Sequence, residues 1–142
     1  MTAPLPEEAN PPLHYRIVID RMGRQWLSAN DRLHWSVRKR LTEMWRTTGA
    51  WQAHKQGVPS LPGGRVICEL RLFVRKNARR RDPANWSPTA KALVDGLVDA
   101  EVFPDDDSTR VVGPDMRMGP PAVERDQEQL IIHIWPTGGG PA

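Results

Sequence analysis

The chain predicts an α/β fold: a single domain in which two main helices pack against a mixed β-sheet. Three observations carry that expectation. Segments rich in β-branched residues alternate with two stretches of helical apolar spacing, in the order β-α-β-α-β-β. The length of 142 residues suits one domain with a real core. No internal repeat divides it, and no linker is long enough to separate a second domain.

The elements follow in order. "HYRIVID" at 14–20 alternates and reads as a strand. A turn at Gly23 follows, and "SAND" then offers capping residues for a helix over about 32–56. Its apolar stripe is Val37, Leu41, Met44, Trp45, Thr48, Trp51 and Gln52. Arg38, Lys39 and Arg46 fall off the stripe, which gives the helix a basic face. Gly57 and Pro59 end it. "RVICELRLFV" at 65–74 is a second strand, followed by a basic loop. Ser87 reads as an N-cap with Pro88 at the first helical position. That second helix runs to Asp99 and buries Ala90, Leu93, Val94, Leu97 and Val98. After the turn "PDDDS", the segment 109–118 gives a third strand bent at Gly113-Pro114, and 128–135 a fourth. Residues 14–136 form the domain. Residues 1–13 read as a disordered N-terminal tail and 137–142 as a flexible C-terminal one.

Composition narrows the function. No apolar run approaches the ~20 residues of a membrane helix. The N-terminus has no basic-then-apolar pattern of a secretory signal. Cys68 is the only cysteine, so an intramolecular disulfide and a cysteine-rich zinc site are excluded, and a cytoplasmic location fits. His14, His34, His54 and His133 lack zinc-ligand spacing and read as structural or solvent-facing. Net charge is +3. Its distribution matters more: basic residues crowd 38–40 and 75–81, and acidic ones crowd 95–107. Basic patches point to a polyanion, and an acidic knot beside them points to a bound cation.

"RRRDPANW" at 79–86 and "DDD" at 105–107 concentrate that contrast. Taken alone, each is a solvated loop. Taken together, arginines could grip phosphates while carboxylates hold magnesium, which favours a few carboxylates with water and phosphate oxygens. Metal-aided phosphodiester cleavage needs an activated water and charge neutralisation at phosphorus. Lys91 and Asp95 form an i,i+4 pair on the border of the second helix's stripe. The helix separates Asp82 from the triple aspartate, so the two groups meet only if the loops fold back over the sheet. Of the six tryptophans, Trp45, Trp51 and Trp135 read as core, and Trp86 is the candidate for stacking on a nucleobase.

The segment 81–107 resembles the core signature of the RusA-type Holliday junction resolvases, roughly R-D-x-D-N-x-x-K-x-x-x-D-x-L and then D-D. Asp82, Asn85, Lys91, Asp95, Leu97 and the pair Asp105-Asp106 stand at matching positions. "LSANDRLHW" at 27–35 resembles the family's early P-S-x-N-x-x-Y stretch more loosely. The resemblance covers roughly 16–135. It implies a small homodimeric endonuclease, active on four-way junctions with magnesium, or manganese in its place. It implies Asp82, Lys91 and Asp106 as catalytic. Asp82, Asp95, Asp105, Asp106 and Asp107 become the metal set. Arg75, Lys76, Arg79, Arg80, Arg81, Asn85, Asn30 and Arg38 become the DNA contacts.

The chain departs from that pattern in four places. The family's second aspartate falls on Ala84. Five residues, "WSPTA", separate Asn85 from Lys91. Glu101 stands where a glycine usually ends the helix, and Asp107 is an additional acid. Two other readings therefore stay open. One is a protein that binds branched DNA and cuts it poorly because of Ala84. The other is a basic protein that binds RNA or a partner, with "DDD" as a surface turn.

Overall fold

The computed structural model describes residues 14–76, 81–105 and 109–137. They form an α/β domain with strands β1 (Tyr15–Asp20), β2 (Gly64–Arg71), β3 (Val111–Met118) and β4 (Gln129–Pro136). The helices are α1 (Trp35–Lys55) and α2 (Ser87–Asp99). The element order is the expected one. The tails expected at 1–13 and 138–142 lie outside the described residues. Thr137, placed in the C-terminal tail, instead continues the fold: its N–H donates to the Gly63 carbonyl at 3.2 Å.

Strand order is β1-β4-β2-β3. β4 pairs antiparallel with both β1 and β2, while β2 and β3 are parallel, so the sheet is mixed. A parallel pair needs a crossover, and α2 supplies it. Alternation sends Ile17, Ile19, Val66, Cys68, Leu70, Leu130, Ile132 and Ile134 to the helix side, all fully buried. Burial pushes the Cys68 thiol up to about 12, so it stays an inert, protonated core residue. The bend expected in β3 is a slip in register. Arg65 faces Val112 and Ile67 faces Asp115, so three steps on β3 match two on β2 around Gly113-Pro114. The free edge of β1 is occupied by one side chain: the Gln56 amide accepts from Val18 N at 2.9 Å and donates to Val18 O at 3.0 Å.

α1 begins later than expected, at Trp35. Its cap is His34, whose ring Nδ1 accepts from Ser36 N at 3.2 Å. Its end has the hydrogen bonds of a Schellman motif, with Gly57 at φ 74°, Gly57 N donating to His54 O and Val58 N to Ala53 O. α2 ends the same way: Glu101 N donates to Val98 O, and Val102 N to Leu97 O. There the left-handed position, φ 62°, is held by Glu101 and not by a glycine.

Two residues expected in the core are not there. Trp51 is 60% exposed and Trp135 is 38% exposed. The buried positions of α1 are Leu41, Trp45, Thr48, Gly49 and Ala53. At ~100° per residue Trp51 lies about 120° around the helix from Trp45. The line facing α2 is made of small residues. A Cβ on Gly49 would collide with the Leu93 carbonyl, and one on Gly96 with the Arg46 carbonyl. Trp135 points to the sheet face away from the helices, where His14 stacks on it with ring centroids 4.5 Å apart.

Two stability changes follow. Gly96→Ala should lower stability by roughly 1–3 kcal/mol through overpacking at the helix contact. A thermal midpoint equal to that of the parent would show that the helices can separate without loss. Glu101→Gly should raise stability by about 1 kcal/mol by removing the strain of a side chain at positive φ. Urea denaturation of the two proteins side by side measures that gain, and a lower midpoint for the glycine variant would contradict it.

Candidate functional site

The stretch that opens α2 is a cap as well as a candidate ligand. Asp82 is extended, and its Oδ1 accepts from Ala84 N at 3.0 Å. Pro83 follows at the first position of a short 3-10 turn, Pro83–Trp86, that leads directly into α2. The N-cap of α2, expected at Ser87, falls on Trp86, which makes no side-chain capping bond; the side-chain cap is that of Asp82 on the 3-10 turn before it. Ser87 is already helical, and its hydroxyl donates to the Ala84 carbonyl. An aspartate followed by proline suits such a start: the carboxylate satisfies a free N–H, and proline has none to satisfy. Asp82 is otherwise exposed, as is Ala84, so an added carboxylate at Ala84 would meet no steric barrier from burial.

The loop holding Asn30 is fastened to this turn. Ala29 N donates to Asn85 O at 2.7 Å. Buried Thr89 both donates to Leu27 O and accepts from Leu27 N, each at 2.7 Å. Within the loop, Ser28 N donates to Asp31 Oδ2 and Asn30 N to Ser28 Oγ. Segments 27–31 and 82–89, far apart in sequence, thus share one surface. Asn30 is exposed and Asn85 half-buried there.

The i,i+4 pair forms as expected, with Lys91 Nζ 3.4 Å from Asp95 Oδ1. Asp95 is mostly shielded, while the Lys91 side chain is 68% exposed. In that setting the pair is worth only a few tenths of a kcal/mol to stability. Asp105 is exposed and lies beyond the far end of α2, after Val102 and Phe103, which are buried. The 13 residues of α2 between Asp82 and Asp105 span ~20 Å. Among the described residues, no three acidic, histidine or cysteine side chains gather where they could hold one metal ion. Asp106 and Asp107, which complete the expected set, lie outside the described residues, as do Arg79 and Arg80.

A cleft of about 630 Å³ opens beside the Asp82 turn. Five arginines line it (Arg21, Arg24, Arg75, Arg81 and Arg125) against two acids, Asp31 and Glu128. Trp26, Phe73 and Trp86 form its aromatic walls. Two of the arginines are structural. Arg24 donates to Arg21 O, Asp20 O and Thr48 Oγ1, and stacks 4.5 Å over Trp45. Its burial lowers its pKa from the usual arginine value. Arg21 donates to Arg24 O and Arg125 O. Its Nε also faces Glu128 Oε1 at 3.0 Å, in an ion pair not aligned as a hydrogen bond. Glu128 is buried and accepts from Trp26 Nε1 and Phe73 N.

Of the expected DNA contacts, Arg75 and Arg81 therefore face a shared cleft. Lys76 and Arg38 do not line it; Lys76 is exposed, and Arg38 sits in the first turn of α1. Sequence reasoning missed Arg125, Phe73 and Trp26. A sheet pairing brings in two of them, since Phe73 forms a parallel bridge with Ala122, close in sequence to Arg125, and Trp26 is tied in by its Nε1–H to Glu128. A comparison with protein-family models finds no match to this chain, and neither does a comparison with curated proteins.

Because asparagine caps as well as aspartate does, Asp82→Asn should leave stability within a few tenths of a kcal/mol of the parent. Asp82→Ala should lose about 1 kcal/mol. Chemical denaturation of both variants tests this. An alanine variant as stable as the parent would mean that the cap contributes nothing, leaving Asp82 to be explained by chemistry alone.

Proposed function

We propose that this protein is a magnesium-dependent endonuclease that cleaves four-way junctions or other branched DNA, similar in kind to the RusA-type resolvases. The observation that supports it most is the shared surface on which Asp82, Asn85 and the Asn30 loop meet an arginine-lined cleft. A polyanion would be gripped there next to an exposed carboxylate.

The donor chemistry fits magnesium: every candidate ligand is a carboxylate, and hard cations take oxygen. Asp82 and Asp105 lie a helix length, ~20 Å, apart in one protomer, so Asp82 and the Asp105–Asp107 run are separate candidate ligands that would not share one ion there. Asp95 is already turned to Lys91 and is better suited to orienting it. A bound magnesium would supply an activated water and neutralise charge at the phosphorus. The chain's own groups bind and orient the DNA. Arg75 and Arg81 hold flanking phosphates as charge-assisted donors. Lys91, exposed at the edge of α2, stabilises charge that develops at the scissile phosphate.

A four-way junction carries two equivalent strands to cut, and a homodimer matches that symmetry. The sheet face opposite the helices, with Val112 and Trp135 exposed, is open to a second copy. No helix is long and apolar enough to cross a membrane. Work on DNA would place the protein in the cytoplasm.

One observation favours a second reading. Ala84 occupies the exposed turn position where the resolvase pattern has a carboxylate, which points to a protein that binds junctions and cuts them poorly.

Labelled four-way junction and linear duplex, each with magnesium or chelator, separate these readings. Nicking of the junction alone, dependent on magnesium, is expected. Asp106→Asn should abolish it while keeping or tightening junction binding, because a negative charge near phosphate is lost. Junction binding without cleavage would select the second reading. Equal cutting of linear duplex would sink selectivity for branches.

A further inference from the structure

We propose that the arginine-lined cleft takes one unpaired nucleotide of a DNA strand, its base stacked on Trp86 and its phosphate held by Arg75, Arg81 and Arg125. This deepens the reading of the chain as a protein of branched DNA and rests on it. Three features single out the ligand.

The first is which cations are available. Arg21 and Arg24 are committed to backbone carbonyls, Thr48 and Glu128. Glu128, the buried acid, is likewise committed to Arg21, Trp26 and Phe73. Among the described residues, the side chains of Arg75, Arg81 and Arg125 have no hydrogen bond or ion pair. The last two rest only against aromatic rings, Arg81 at 5.9 Å from Trp86 and Arg125 at 5.7 Å from Phe73. A guanidinium held over a ring and lacking a carboxylate is poised for phosphate.

The second is the wall. Trp26 is buried and stacked on Trp45 at 4.8 Å, so it belongs to the core. Trp86 is half-buried, packed on one side against the core, and lines the cleft. Indole beside free guanidinium is the pairing that holds successive bases of single strands without regard to sequence.

The third is size. A cleft of about 630 Å³ is in the range of pockets that hold small organic ligands, and has room for one nucleotide. Unstacking costs least for a base that is already unpaired.

The test uses the full chain in chelator, so no cleavage is needed. A short oligothymidylate carrying one 2-aminopurine is titrated with the parent, Trp86→Ala, Trp86→Phe, Arg81→Ala and Arg125→Ala, over a salt series. Binding should change the fluorescence of the base analogue. Trp86→Ala should weaken binding about tenfold or more, and Trp86→Phe should keep most of it. Each arginine variant, at an exposed side chain that folding does not need, should weaken binding and lower the salt slope by about one.

Parent-like binding by all four variants would overturn the proposal. If those variants also bind four-way junction as the parent does, the endonuclease reading survives and only the cleft assignment falls. If the parent binds neither oligothymidylate nor junction, both fall. Tight competition by thymidine monophosphate alone would make the cleft a free-nucleotide site and overturn the strand assignment. Clear preference for oligouridylate would do so in favour of RNA.

Discussion

The contact between α1 and α2 is the constraint on which the rest depends. Gly49 and Gly96 let the two backbones approach until a single methyl group on either would strike a carbonyl of the other helix. Nothing larger fits, so the helices cannot slide or rotate without opening a gap in a close-packed core. That fixes α2 against the sheet. It also fixes the two things α2 carries, the Asp82 turn at its start and the Lys91–Asp95 edge along its side. Arg46 reinforces the contact with two hydrogen bonds to Asp99, at 2.6 and 2.8 Å. These hold the Asp99 carboxyl below its usual pKa. The pair is well exposed and contributes well under the packing itself.

The cleft is built by a second layer of ties that reach the first. Thr89, one turn into α2, clamps Leu27 by both backbone groups, so the loop 27–31 moves with the helix. On the opposite wall, Glu128 gathers Arg21 and Trp26 from one segment and Phe73 from another. A buried carboxylate is tolerable only when its oxygens are satisfied, and here they are. The result is a cleft with hydrogen-bonded polar walls and, at its rim, Arg81 and Arg125 resting against aromatic rings.

Much of this was legible in the sequence, for identifiable reasons. Alternation in residues 14–20 marks a strand because one sheet face is buried and the other is not, whereas 128–135 carries an unbroken apolar run, Leu130 to Ile132, buried on both faces of a central strand. The second helix announces itself through Ala90, Leu93, Val94 and Leu97. What failed were inferences from residue type without geometry. Trp51 and Trp135 look like core because they are large and apolar, yet the core positions of α1 are Leu41, Trp45, Thr48, Gly49 and Ala53, and at Gly49 what matters is the side chain that is lacking. Ser87 looks like a cap because proline follows it, but the same logic applies one motif earlier to Asp82-Pro83, and a 3-10 turn joins the two. Arg125 could not be placed from sequence at all. It reaches the cleft through a bridge between Phe73 and Ala122, a long-range pairing that no local pattern encodes.

Arg81 and Asp82, adjacent in sequence, take two physical roles at one corner. Asp82 must be extended and outward to cap the turn, and this same conformation leaves its second oxygen facing solvent. Arg81, one residue before, is thereby turned to the cleft side, over Trp86. Cap geometry alone thus places a carboxylate and a guanidinium next to each other without pairing them. An ordinary ion pair would have neutralised both. Kept apart, they present a carboxylate and a guanidinium within two residues of each other, each without an ion-pair partner among the described residues. On this argument the cap is the reason why one short stretch could serve both structure and the proposed chemistry.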